Sequence, residues 1–335
     1  MRYTFVSLAL AVAFFGGPPV ASGTDIPRVF APGNISSVNS DFAPAFSPTS
    51  PSMLFTRSNG SQRFTILESK RKEMSWSAPT AAPYSGTWHD IEAAYAPNGG
   101  YVVFVSDRPS TEKGKPIHAN YFGQDQIGGN LWRVDVSANG WGKPYRLPPT
   151  INRSNSVWTP SIAKNNDLFF MATDPTTGRF RLHRATSKHD GSYKNSQNVG
   201  FSNGQSNDVD PFVDPLERFV IFSSDRNAAS HGALPGPERL FIAFDPLGNH
   251  PLVCALALPG WSDPKTSEVE SRMSLDLRTL YFASRKLAHP MGSAPLGDWD
   301  NGKTNIWMVR FGPELWQKAA GASRACIARV LSNPG

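Results

Sequence analysis

The fold is decided by two runs, Asp90-Ile-Glu-Ala-Ala-Tyr-Ala-Pro97 and Tyr101-Val-Val-Phe-Val-Ser106, which stand on either side of the turn Asn98-Gly99-Gly100. Two runs of strand length around an Asn-Gly turn are typical of a β-hairpin. The run Leu131-Trp-Arg-Val134 predicts a third strand, and the Trp141-Gly-Lys-Pro144 step leads into a fourth. The sequence from 90 to about 146 therefore predicts one four-stranded antiparallel unit.

This unit recurs along the chain. Further copies begin at Asp41, Asp208 and Glu268, and a weaker copy begins near Trp158. Four strands in a unit of about 50 residues are typical of a β-propeller blade, and such units must stack into a closed ring because one blade cannot bury both of its faces. We expect an all-β propeller of five four-stranded blades, at about 41–87, 88–153, 154–204, 205–264 and 265–335. Six blades stay possible, because the third copy departs from the pattern at its turn, Lys164-Asn-Asn-Asp167.

The segment 28–35 is expected to close the ring. Arg28-Val-Phe-Ala-Pro-Gly-Asn-Ile35 resembles the outer strand of the second copy, which begins at Arg146, yet it precedes the first hairpin and has no blade of its own. It can complete the last blade and protect an otherwise open strand edge. The tail 314–331 is the alternative for that place, or forms a short helix over it.

Three tryptophans keep the register of the repeat. Trp76, Trp141 and Trp316 stand ten residues after Ile66, Leu131 and Ile306, which lie in the predicted third strands. A large amphipathic ring at the start of an outer strand is suited to packing between neighbouring blades.

The first 23 residues have the pattern of a signal peptide. Arg2 precedes the uncharged run from Phe5 to Phe15, and Ala21-Ser22-Gly23 offers small residues for cleavage. This run is too short to span a bilayer, and no later stretch approaches the required length. We expect residues 24–335 to form a single propeller domain, monomeric and free in the periplasm or secreted.

The charge distribution limits the class of partner, and the cysteine content predicts a disulfide. The chain has 33 Lys and Arg against 27 Asp and Glu, and the basic residues are scattered, so nucleic acid binding is not indicated. Its two cysteines, Cys254 and Cys326, are expected to form a disulfide in an exported protein, two buried free thiols being the alternative.

Several motifs resemble the TolB-type, WD40-like β-propeller repeat of exported bacterial proteins. They are Phe104-Val-Ser-Asp-Arg-Pro109, Asn130-Leu-Trp-Arg133 and Gly140-Trp-Gly-Lys-Pro144. The resemblance covers nearly all of the predicted mature chain and implies the propeller fold. It implies little about function, since this repeat occurs in proteins with many partners and in propeller domains attached to enzymes.

The long loops predict a functional face. The loops 109–129, 226–238 and 286–304 each connect a second strand to a third, so all three leave the same side of the ring. Binding residues concentrate on long loops held by a rigid scaffold. On this side we expect ligand-binding residues at Arg57, Trp88, Asp90, Arg108, Tyr121, Asp208, Arg226, Glu268, Arg285 and Trp299. The opposite side, with its short turns, is expected to offer little that can hold a ligand.

Four carboxylates, Asp41, Asp90, Asp208 and Glu268, open the inner strands at that face. One hypothesis is a ring around the channel mouth that binds calcium. The other is that each caps backbone amides or pairs with a strand-end arginine of a neighbouring blade, as the family repeat implies. The loop histidines His118, His231 and His289 are a weaker metal hypothesis, and no other cofactor is expected.

The sequence favours a non-enzymatic binding protein of the cell envelope, with an envelope or extracellular protein, peptide or glycan as partner. It contains no Gly-x-Ser-x-Gly, no His-Glu-x-x-His and no phosphate-binding glycine loop. The alternative is a carbohydrate-active enzyme that uses Asp41, Asp90 and Glu268 for catalysis, with Trp88, Trp158 and Trp299 stacking on sugars. Two carboxyl groups about 5–9.5 Å apart over an open pocket would favour the enzyme, and a channel plugged by side chains would favour binding.

Overall fold

Each copy of the repeat forms one antiparallel sheet. The computed structural model describes residues 26–312, apart from 61–62, 112, 122–123, 227–236, 257, 259, 262 and 264, together with residue 328. The first strand, β1, is Arg28–Val29. Blade 1 follows with β2 (Ser40–Phe46), β3 (Ser52–Ser58), β4 (Phe64–Lys72), β5 (Ser75–Trp76) and β6 (Thr80–Ala81). Blade 2 has β7 (Asp90–Tyr95) and β8 (Tyr101–Ser106), a separate hairpin of β9 (His118–Tyr121) and β10 (Gln124–Ile127), then β11 (Asn130–Ser137), β12 (Gly140–Trp141) and β13 (Tyr145–Arg146).

The remaining blades have four strands each. Blade 3 has β14 (Val157–Ile162), β15 (Leu168–Thr173), β16 (Phe180–Ala185) and β17 (Gln197–Asn198). Blade 4 has β18 (Asp208–Val213), β19 (Phe219–Ser224), β20 (Arg239–Phe244) and β21 (Leu252–Ala255). Blade 5 has β22 (Val269–Met273), β23 (Thr279–Ser284) and β24 (Asn305–Arg310), and its fourth strand is β1. The protein is thus an all-β propeller with five blades, as the sequence predicted.

Strand register fixes the two faces of the ring. In blade 2, Asp90 pairs with Ser106, which pairs in turn with Asn130. The start of the inner strand, the end of the second strand and the start of the third strand therefore lie at one end, together with the loop that connects the second and third strands. We call this end the loop face and the end with the short hairpin turns the turn face. The inner strands β2, β7, β14, β18 and β22 contact one another around the axis.

The N-terminal strand closes the ring. Arg28 and Val29 pair with Met308 and Trp307 of β24, and the Phe30 amide donates to the Ile306 carbonyl at 2.8 Å. The predicted closing strand was longer, but the chain turns after Phe30 and buries Ile35 completely. Because the first and last segments share one sheet, unfolding cannot begin at a free blade edge without breaking this contact.

Aromatic side chains fill the interfaces between blades. Trp76 of blade 1 contacts Phe30, with ring centroids 5.8 Å apart, and Phe30 also contacts Phe46 and Tyr281. Trp141 of blade 2 lies 5.0 Å from Tyr84, in the segment that leads from blade 1. The predicted packing role of these two tryptophans is confirmed.

Several predictions concern the parts of the chain that the structure does not describe. The signal peptide, Trp316, His231 and most of the tail lie outside the described residues. Cys254 is buried in β21, but Cys326 lies outside them, so the disulfide stays a prediction. In the described part of the chain, no helix is long and apolar enough to cross a membrane.

The closing contact predicts the effect of one core mutation. Phe30 is 8 % exposed, so Phe30→Ala should lower the free energy of unfolding by about 3–5 kcal/mol, as large-to-small changes of buried aromatics do. Denaturant unfolding of the purified mature protein measures this. Ile26→Ala, at a side chain that is 51 % exposed, should change the value by about 0.5 kcal/mol at most. Equal effects of the two mutations would contradict the closure.

Candidate functional site

Three of the predicted carboxylates at the loop face form ion pairs within their own blades. Asp41 pairs with Arg57 (Oδ1 to Nε, 2.6 Å), Asp90 with Arg108 (Oδ1 to Nη1, 2.9 Å) and Asp208 with Arg226 (Oδ1 to Nη2, 2.6 Å). Each also accepts a hydrogen bond of 2.7 Å from a serine hydroxyl, of Ser37, Ser106 and Ser224 respectively. The pairs connect the inner strand to the end of the second strand and stabilise each blade. The arginine therefore comes from the same blade and not from a neighbouring one, while Asp41 also accepts a hydrogen bond from the Ser37 amide at 2.8 Å, as the amide-capping alternative predicts.

Glu268 is arranged differently. Its Oε1 lies 3.4 Å from Arg239 Nη1 of blade 4, which is the neighbouring blade. Burial raises the pKa of Glu268 to about 6, although Arg239 acts against this. Arg285, the predicted strand-end arginine of blade 5, is exposed, and the neighbouring Lys286 ammonium lies 4.1 Å from the centroid of the Trp261 ring. The structure therefore places the predicted acids and arginines at one face but uses most of them in blade-stabilising pairs.

Each inner strand contains one residue in the left-handed region. Ala43, Glu92, Thr159, Asp210 and Glu270 have φ between 45° and 56°, and the strand pairing shifts register at each of them. Such bulges re-aim a side chain. The five residues occupy equivalent positions around the ring axis, two residues after the loop-face acids in blades 1, 2, 4 and 5.

Three of these five residues form a buried carboxyl cluster. Single carboxylate oxygens of Glu92, Asp210 and Glu270 lie within 4.8 Å of one another, and the three residues are 4 %, 5 % and 7 % exposed. Among the described residues, Glu92, Asp210 and Glu270 are the acids that come this close together. The four acids at the loop face form no such group. The calcium ring predicted from Asp41, Asp90, Asp208 and Glu268 is therefore not assembled by the geometry.

Hydrogen bonds hold the cluster across blade boundaries. The Thr159 amide donates to Glu92 Oε2 at 2.6 Å, and the Thr159 hydroxyl lies 2.8 Å from that oxygen and 3.0 Å from Asp210 Oδ1. The Glu270 amide donates to Asp210 Oδ2 at 3.0 Å. The Glu92 amide in turn donates to Thr56 Oγ1 of blade 1 at 3.0 Å. Backbone and side chains of all five blades are thus tied around the axis.

Burial dominates the electrostatics of the cluster. It raises the pKa of Glu92 to about 7, with the charge of Asp210 acting in the same direction, and it raises the pKa of Asp210 and of Glu270 as well. Beside the cluster lies Arg272, which is 5 % exposed and lowers the pKa of Asp210 and Glu270 by its charge.

The cluster bears on the two functions, binding or catalysis, that the sequence left open. The carboxyl groups at the axis are buried and hydrogen-bonded across blade boundaries, which is the plugged arrangement that favours binding. Glycosidase acids are about 5–9.5 Å apart and flank an accessible bond. Sequence reasoning missed Glu92, Asp210 and Glu270, although a second acid two residues after the first in three blades was a visible signal.

An apolar cavity lies on the turn face, where the sequence predicted little that can hold a ligand. It has a volume of about 320 Å³ and is lined at the ends of the inner strands by residues that include Phe46, Tyr95, Ile162, Phe212 and Leu275, with Arg272 in its wall. The sequence did not predict this cavity, and the prediction that the ligand lies on the loop face stays a prediction.

The loop face carries two organised loops. In the loop 286–304, buried Asp300 accepts hydrogen bonds from the amides of Ala288, His289 and Leu296 and lies 2.7 Å from His289 Nδ1. Burial raises the pKa of Asp300, but these hydrogen bonds outweigh it and hold the pKa below its usual value. In the loop of blade 2, the β9–β10 hairpin is tied to the next blade by Asn155 Nδ2, which donates to the His118 carbonyl at 3.0 Å.

The remaining predicted site residues divide between core and surface. Trp158 is half-buried and packs against two interblade cores. Trp88 and Trp299 are half-buried at the loop face, and the side chain of Tyr121 lies outside the described ones. His118 pairs with Asp125 and His289 with Asp300, in different blades, so neither supports the predicted histidine metal site.

Comparison with known proteins shows the fold alone. No protein-family model matches the sequence, and no curated protein matches it. The structure of α-L-arabinofuranosidase from Lactobacillus brevis superposes with a TM-score of 0.53 at 10 % identity, over 83 % of this chain and 93 % of that chain. A putative TolB from Agrobacterium tumefaciens gives a TM-score of 0.47 at 11 % identity, over 82 % of this chain and 91 % of that chain. TolB from Acinetobacter baumannii gives 0.46 at 12 % identity, over 82 % of this chain and 55 % of that one.

The raised pKa values predict how stability depends on pH. The pKa of Glu92 is about 7 in the folded protein and near 4.5 when unfolded, so its contribution is present below about pH 4.5 and is lost as pH rises through 7. Asp90 and Glu268, with pKa values of about 6, act in the same direction. In the presence of a chelator, we expect the melting temperature to fall between pH 6 and pH 8, with Glu92 contributing on the order of 3 kcal/mol at most.

The matched variants are Glu92→Gln and Glu73→Gln. The glutamine at 92 keeps an acceptor for the Thr159 amide but cannot ionise, so this variant should show a flatter pH profile and melt at or above the parent at pH 8. Glu73 is exposed in the turn between β4 and β5, so its variant should follow the parent. Parallel profiles for all three proteins would show that the cluster does not control this dependence.

Proposed function

We propose that this protein is a non-enzymatic binding propeller of the cell envelope, of the TolB-like type, that holds a protein, peptide or glycan on its loop face. The observation that carries the proposal is the plugged channel. An enzyme of this architecture needs carboxyl groups over an accessible pocket, whereas Glu92, Asp210 and Glu270 are no more than 7 % exposed and lie against the next blade. The loop-face acids Asp41, Asp90 and Glu268 are occupied by arginines.

The organisation of the loop face supports the location of the ligand. The loop 286–304 is held by buried Asp300, yet it presents Met291 and Leu296, which are 89 % and 67 % exposed. Half-buried Trp88 and Trp299 lie at the same face. Apolar and aromatic anchors on a loop that is already ordered lose little conformational entropy on binding, and such anchors dominate binding energy. The surrounding arginines suit a polar or charged partner.

The export that the N-terminal sequence predicts supports the compartment, since a signal peptide directs the mature chain to the periplasm or the outside. A partner in the envelope follows from this location. The same conditions favour the Cys254–Cys326 disulfide, which in the chain-entropy model contributes about 4 kcal/mol because it closes a long loop. Thiol titration of the unreduced, denatured mature protein should find no free thiol, and two free thiols would contradict the pairing.

Loop variants test the binding face. Shortening residues 110–128 should abolish capture of the partner from an envelope extract by the immobilised mature protein, while the melting temperature changes little because this loop carries little of the core. Asp300→Ala should weaken capture at least tenfold, because it releases the loop 286–304. The captured species is identified by mass spectrometry for proteins and on a glycan array for sugars.

The control variant lies at the far end of blade 2. Replacing the turn Asn98-Gly99-Gly100 by another β-hairpin turn sequence should leave capture unchanged. The melting temperature checks that this variant still folds. Capture by the loop variants but not by the turn variant would place the ligand on the turn face. Release of nitrophenol from a panel of aryl glycosides by the parent, lost in Glu270→Gln, would replace binding by catalysis as the function.

A further inference from the structure

We propose that Glu92, Asp210 and Glu270 bind one divalent cation of the calcium class at the centre of the ring. The site is distinct from the loop-face ligand site and does not rest on the proposed function. It would join blades 2, 4 and 5 across the axis.

The distances between the three carboxylates fit one ion. Calcium binds oxygen ligands at about 2.3–2.6 Å, so two oxygens on one ion are at most about 5 Å apart. One carboxylate oxygen from each residue lies within 4.8 Å of the others. Carboxylate oxygens are the ligands that calcium prefers, and the donor set contains no nitrogen or sulfur that would favour a transition metal.

A second observation points to a ligand that the cluster lacks. Glu270 Oε2 has no hydrogen-bond partner, although only 7 % of the residue is exposed to solvent. Ser223 Oγ of blade 4 is also buried without a partner. Ser223 lies in β19 and pairs with Val209, so it is equivalent to Thr56 of blade 1, which pairs with Phe42. In blade 1 that hydroxyl accepts the amide of the next bulge residue. Buried polar atoms are almost always satisfied in folded proteins, so the orphaned oxygens require an explanation.

The charge count supports a divalent ion. With an ion bound, all three carboxylates would be ionised and would carry three negative charges, and buried Arg272, two residues after Glu270 in β22, would supply one positive charge. Two negative charges remain in a place with little water. A divalent cation neutralises them, whereas a monovalent ion leaves one charge buried and unpaired, which is costly. Arg272 donates from Nη1 to the Ser271 carbonyl at 2.8 Å and from Nη2 to the Pro160 carbonyl at 3.5 Å, while its buried Nε has no hydrogen-bond partner.

The ligands come from three blades, so the ion can bind the folded ring but not the unfolded chain. Binding should therefore raise the melting temperature in proportion to the logarithm of ion concentration once the site is saturated. It should not alter capture of a loop-face partner, because the ligands lie below the loop-face ion pairs. Capture measured with and without chelator therefore separates failure of this proposal from failure of the proposed function.

The experiment uses the purified mature protein after chelator treatment, at pH 7.5, titrated with calcium chloride and separately with magnesium chloride. We expect calcium to raise the melting temperature by several degrees and to give a calorimetric stoichiometry of one, with magnesium at least tenfold weaker. Glu270→Gln, which keeps the shape but removes a ligand charge, should lose the calcium response while remaining folded without calcium.

Two controls locate the ion. Glu73→Gln, in an exposed turn, should keep the response of the parent. Asp208→Asn removes a loop-face acid and should also keep it, after correction for its own lower stability. No calcium response in the parent, or a full response in Glu270→Gln, would overturn the proposal. A response lost in Asp208→Asn but kept in Glu270→Gln would overturn it too, by placing the ion at the loop face.

Discussion

A left-handed residue in every inner strand is the constraint on which the centre of this propeller depends. A non-glycine residue at φ near +50° costs free energy, and the five blades each accept this cost at the same position. What they gain is a side chain and an amide aimed across the blade boundary at the axis. Thr159 and Glu270 use the amide to bind the carboxylate of the preceding blade, and Glu92 uses it to bind Thr56. The bulges therefore connect the five similar hairpins one after another, and β1 closes the ring.

The bulge also explains why the two acids of an Asp-x-Glu sequence have different roles. In a regular strand, Asp90 and Glu92 would face the same side. The bulge breaks that alternation, so Asp90 turns to Arg108 within its blade while Glu92 faces the axis. The outer acids are compensated by arginine and serine, and the inner acids share Arg272. The acids at the loop face therefore hold the blades together, whereas the three acids at the axis bring several carboxyl groups together with one arginine.

The fold was predictable because its determinants are local and repeated. The hairpins, the third strands, the interblade tryptophans and the N-terminal closure each follow from apolar runs and turn residues that recur in register. For the loop-face ion pairs, the sequence identified the acids and the arginines. It did not identify which blade supplies the arginine to each acid. That choice depends on where each side chain leaves its strand, and sequence alone does not give it.

The central cluster could not be predicted by the same reasoning. The sequence Ile91-Glu92-Ala93 does not predict a positive φ, because this conformation is typical of glycine. Here the packing of neighbouring inner strands imposes it. The acids in this position also look redundant beside the repeat acid two residues earlier. Their signal is comparative: Ala43 and Thr159 occupy the same position in blades 1 and 3, so the three carboxylates are not required by the repeat. Glu92 and Asp210 accept hydrogen bonds from the next blades, but the repeat has no acid at this position in blades 1 and 3, so the meeting of three carboxyl groups at the axis calls for a function of its own.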